Sequence, residues 1–139
     1  MKRILLTVSI FLTAAVAFGY YLFNKPHSSI VDETPIALSE APALVGEYEA
    51  DENSANAKYL GKVIEVTGTI SDKNLDEKGI LNLTLKGGDL AGIGCQFDKN
   101  FQTEALGLKS GEQVKIKGIC TGILMDVVLV DCVISKESN

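Results

Sequence analysis

Three cysteines, Cys95, Cys120 and Cys132, and a single histidine, His27, are the residues of this 139-residue chain best suited to covalent or metal chemistry. Their spacing limits what they can do. Three is odd, so one thiol at least stays unpaired within a molecule, and no C-x-x-C pair exists to run thiol–disulfide exchange. A disulfide between Cys120 and Cys132 needs a hairpin turn centred on Asp126; a turn nearer Leu124 offsets the two by three residues, beyond the ~7 Å Cα limit. Buried thiols are the favoured reading, with that bridge as the alternative. His27 has no second histidine to complete a Ser-His-Asp arrangement or a metal site. Asp126 and Asp131 stand five apart on one strand and point to opposite faces. No run of carboxylates has EF-hand spacing. The glycines of residues 86–94 lack phosphate-loop spacing and join two strands. The expectation is therefore a non-enzymatic protein with no catalytic residues, no metal and no cofactor.

Residues 4–23, ILLTVSIFLTAAVAFGYYLF, carry no charge and follow Met1-Lys2-Arg3. Twenty residues rising 1.5 Å each span the ~30 Å hydrocarbon core, so the segment reads as a transmembrane helix. Lys2 and Arg3 keep residues 1–3 cytoplasmic, and Tyr20 and Tyr21 sit at an interface. Ala15-Val16-Ala17 offers a signal-peptidase pattern, and secretion after cleavage is the alternative. No cysteine lies nearby to carry a lipid. Residues 24–38 hold two prolines and two serines without apolar period and read as a linker, leaving one domain at 39–139 outside the cytoplasm. That domain has ten Lys, no Arg and sixteen Asp plus Glu, a net of −6. An acidic domain repels polyanions at long range, so nucleic acid is an unlikely partner.

Ser39 as N-cap and Pro42 in the first turn start a helical lead-in over 39–60, with a break near residues 51–54 and Gly61 at its end. Alternation then predicts strands at 62–70, 80–86 and 93–98, a short helix capped by Asn100 and ended by Gly107, and two final strands within 111–134. Residues 71–79 read as a hairpin loop. The order β-β-β-α-β-β over 62–134, with Gly68 and Gly118 inside strands where a small barrel bends, fits a mainly β, five-stranded OB-fold barrel.

At Ala57-Lys58-Tyr59-Leu60-Gly61-Lys62, Gly94-Cys95-Gln96-Phe97, Leu108-Lys109-Ser110-Gly111 and Asp126-Val127-Val128-Leu129, the chain resembles the tRNA_anti-like family of small bacterial OB-fold domains. The resemblance implies the fold, and it implies no catalytic residues. In an OB-fold the ligand face is the outer side of the second and third strands, here Asn82, Thr84, Lys86 and Gln96. That face lacks the aromatics on which single-strand binders stack bases. A membrane-anchored binding module for a protein, glycan or small molecule is the expectation, and nucleic-acid binding the alternative. A nucleic-acid groove would need lysines such as Lys86, Lys115 and Lys117 to converge.

Overall fold

The computed structural model describes residues 1–23 and 30–136, and of residues 2, 3, 5, 6 and 23 only the backbone. Helix α1 (Lys2–Phe23) covers the apolar run, and Val8, Phe11, Val16, Phe18 and Tyr20 are all well exposed along it. Among the described residues no helix is long and apolar enough to cross a membrane, which departs from the transmembrane helix expected at 4–23. His27 lies outside the described residues.

The expected linker is shorter than its composition suggests. Ile30 is buried against Val63 and Val133. The buried Lys117 ammonium donates to the carbonyls of Val31 at 2.7 Å and Glu33 at 2.9 Å. Residues 37–40 form a strand the sequence did not reveal, β1 (Ala37–Glu40), parallel to β2 (Val63–Leu75) from Ala37↔Ile64 to Glu40↔Thr67. Ser39 is thus a strand residue, and Glu40 holds the N-cap position of α2 (Ala41–Ala50). The break comes at Asp51, which caps α3 (Glu52–Tyr59) by accepting from the Ser54 amide.

The barrel wall is β2, β3 (Leu81–Lys86), β4 (Gly92–Phe97), β6 (Val127–Ile134) and β5 (Gln113–Ile123), closed by β5 pairing back onto β2. Only β4 and β6 run parallel within the wall. This is the five-stranded OB closure: one long strand, β2, serves two neighbours, meeting β5 with residues 63–69 and β3 with residues 70–75. A bulge between Ile70 and Asp72 turns it from one to the other. The loop expected at 71–79 is therefore mostly strand, and the true turn spans 76–80. Lys73 pairs on the inner parity with Leu83 and escapes burial of its charge by reaching the carbonyls of Leu106 and Leu108. The short helix is α4 (Thr103–Leu106), with Gln102 and not Asn100 at its N-cap.

Alternation fills the core. Leu81, Leu83, Leu85, Ile93, Cys95 and Phe97 point inward and are 2 % exposed or less, meeting Ile64, Val66, Ile116 and Leu129 from the other strands. Helix α2 stoppers one end with Ala41, Leu44, Val45 and Tyr48. Its close approach needs glycine beneath it: a Cβ at Gly68 would stand 2.8 Å from Ala41 Cβ, and one at Gly87 would collide with Val45.

Candidate functional site

Because Leu81, Leu83 and Leu85 face the core, Asn82 and Thr84 must face out, half-buried, with Lys86 exposed beyond them. Gln96 lies directly across from Asn82, and Gly94 across from Thr84. The structure widens this face beyond the expected residues. Extending β2 to Leu75 sets Asn74 beside Asn82 and Asp72 beside Thr84, while parallel β6 sets Val128 beside Gly94. The result is a row Asn74–Asn82–Gln96 over three strands and a second row Asp72–Thr84–Gly94–Val128 over four. No aromatic side chain stands in either row. Asn82 donates to the Ile80 carbonyl at 3.3 Å. The side chains of Thr84, Gln96 and Lys86 are free of hydrogen bonds and ion pairs among the described residues. Such a face offers amide, hydroxyl and carboxylate groups for hydrogen bonding.

The flanking turns are fixed by carboxylates. Asp76 accepts from the amides of Lys78 and Ile80 at 2.8 and 2.9 Å, closing the β2–β3 turn. Asp126 accepts from the Gly92 amide at 2.8 Å and ties the β5–β6 turn to the β3–β4 loop. That bond uses one of the two carboxylates weighed above for chemistry. Asp131 sits at a bulge with φ of 52°, a left-handed conformation that Asp tolerates. Leu90, Leu124 and Met125 are almost wholly exposed on these loops.

The lysines do not converge. Lys117 is consumed by the lead-in carbonyls. Lys115 pairs with Glu65 at 3.8 Å, and Glu65 also accepts from the Ser135 hydroxyl. Lys86 alone among the three remains open.

The cysteines are free and buried. The hairpin register sets Cys120 opposite Leu129 and Cys132 opposite Phe97 of β4, so no bridge joins Cys120 to Cys132. Their turn is residues 124–126, and the bulge between Cys120 and Ile123 sets the two one residue further apart. Burial pushes the Cys132 thiol well above its usual pKa, and the neighbouring Cys95 adds to the rise, so the thiolate needed for reaction is suppressed. Cys120 shares a 3.2 Å hydrogen bond with Tyr48, whose phenol is also raised, chiefly by burial. Beside it, Glu47 accepts from Lys58 at 2.8 Å and from Tyr59 at 3.0 Å. The Lys58 bond is the main reason the Glu47 carboxyl is held below 4.5. These groups bind one another and hold α2 to α3 and β5. Among the described residues no cluster of His, Cys, Asp or Glu could hold a metal ion.

The model of the tRNA_anti-like family matches residues 1–134. No relative is found among curated protein sequences. One matching solved structure is a lipoprotein from Klebsiella pneumoniae to which nucleic-acid binding is provisionally ascribed. It superposes with a TM-score of 0.59 at 18% identity, over 70% of this chain and 91% of that one. Such an identity speaks for the fold.

Proposed function

The chain belongs to the tRNA_anti-like family, and on that footing we propose that it is a non-catalytic binding module of the bacterial envelope. Its OB barrel is held outside the cytoplasmic membrane on the N-terminal helix and takes a protein, glycan or small polar ligand on the β3–β4 face. The observation that carries this reading is the Asn74–Asn82–Gln96 row, a polar strip across three strands whose Gln96 side chain has no partner among the described residues. Placement in the envelope is supported by the uncharged run of residues 4–23 behind Lys2 and Arg3, by the exposure of its apolar side chains along α1, and by a structural neighbour that is itself a lipoprotein. The reading of the barrel as non-catalytic rests on buried thiols and on carboxylates already spent on backbone amides.

Protease added to spheroplasts tests the placement. The barrel of the membrane-bound chain is expected to be digested from outside; protection until the cells are lysed would sink the envelope reading. A photocrosslinking residue at Gln96 in place of the amide tests the face, with crosslinks expected there and absent when the same group replaces Glu112 on another part of the barrel.

A second reading, binding of nucleic acid, draws on the activity ascribed to the Klebsiella lipoprotein. The net of −6 over residues 39–139, the dispersal of Lys86, Lys115 and Lys117, and a face without aromatics weigh against it.

A further inference from the structure

Lys86 stands at the end of the β3–β4 face and lines a second feature, a cavity of about 240 Å3 around the bend of β2. The cavity follows from topology. Strand β1 pairs with β2 only as far as Thr67, and β3 pairs with it only from Ile70, so on that edge Gly68 and Thr69 have no strand partner between the two strand ends. Glu40, an acidic residue, lines the cavity from the β1 side and Lys86, a basic one, from the β3 side. Thr67, Thr69 and, from β5, Gln113 lie between them.

None of these five residues has a hydrogen bond or ion pair through its side chain among the described residues, and no ion pair joins Glu40 to Lys86 across the gap. Glu40 holds the N-cap position of α2 yet makes no side-chain capping bond, so its carboxylate is not spent on the helix. At about 240 Å3 the cavity is large enough to admit several waters or a small molecule. An anion would meet Glu40, and a cation would meet Lys86. A small ligand carrying both signs satisfies both.

We infer that this cavity binds a small zwitterion of the amino-acid or dipeptide class. The ligand carboxylate lies toward Lys86, Thr69 and the Gln113 amide, and its ammonium toward Glu40 and the Thr67 hydroxyl. The Asn82–Gln96 pair is not part of the cavity, and the inference does not depend on what that pair binds.

The test is calorimetric titration of the full chain in detergent micelles with alanyl-alanine, N-acetyl-alanine and alaninamide. Saturable binding of the dipeptide is expected, weakened about tenfold or more by Lys86→Met and by Glu40→Gln, each of which removes one charged hydrogen-bond partner. The two analogues, each lacking one charge, are expected to bind about tenfold more weakly than the dipeptide. Both residues are exposed, so thermal unfolding of each variant should match the parent chain and separates lost binding from lost fold. Absence of saturable binding, binding indifferent to both substitutions, or N-acetyl-alanine bound as tightly as the dipeptide would overturn the inference.

Discussion

Two outer walls of one barrel have opposite fates. On the β2–β5 wall, Lys117 is buried under the lead-in chain, Lys115 and Ser135 engage Glu65, and Ile30 packs on Val63 and Val133. On the β3–β4 wall, the side chains of Thr84 and Gln96 engage nothing among the described residues and Asn82 makes one long bond to its own strand's approach. Both walls are polar in sequence, so polarity alone does not mark a ligand face. The difference is whether another part of the chain already answers the polar groups. A satisfied lysine is scaffold, and an unsatisfied amide is available to a partner.

The sharpest way to break this comparison is Lys117→Ala. It removes two charge-assisted hydrogen bonds and strands the carbonyls of Val31 and Glu33, so a loss of about 3 kcal/mol is expected in urea unfolding. Next comes Glu65→Ala on the same wall, which removes the acceptor of the Ser135 hydroxyl and one ion pair of Lys115; about 1 to 2 kcal/mol should be lost by the same measurement. The Glu47 carboxyl, held low mainly by Lys58, gives a smaller effect with a defined sign. A depressed carboxyl contributes stability above its unfolded value of 4.5 and loses it as pH falls through the folded value. The gap in thermal midpoint between the parent chain and Glu47→Gln should therefore close as pH is lowered beneath 4.5. Smallest of all, Asn82→Ala and Gln96→Ala should each shift stability by no more than about 0.5 kcal/mol. If Gln96→Ala cost as much as Lys117→Ala, the two walls would not differ in kind.

Much of the barrel is legible in the sequence because its strands alternate cleanly. Leu81, Leu83 and Leu85 leave Asn82 and Thr84 nowhere to point but outward. The second half of β2 was hidden because Ser71 to Asn74 are all polar, and only pairing with β3 makes them strand. Strand β1 was hidden for a different reason: four residues beside Pro35 carry too little pattern, and their partner is a strand more than twenty residues away. The fate of Lys117 was illegible because a lysine on an outward parity reads as solvated; its partners are carbonyls, which no side-chain pattern announces. The separation of Cys120 from Cys132 is set first by the turn, since Ile123 opposite Val127 would leave Cys120 facing Val130, and a bulge between Cys120 and Ile123 widens it by one residue more, to Leu129.

The central claim is that this barrel is a module for uncharged or balanced polar ligands, with Lys115 and Lys117 serving the fold. Titration of the full chain in detergent with a labelled single-stranded RNA, at low and at near-physiological salt, tests it most directly. The account predicts at most weak association at low salt that vanishes at the higher salt, because too few open lysines face any one groove to release bound counterions. Saturable binding that persists at near-physiological salt, and falls when Lys86 or Lys115 is replaced by Met, would contradict it.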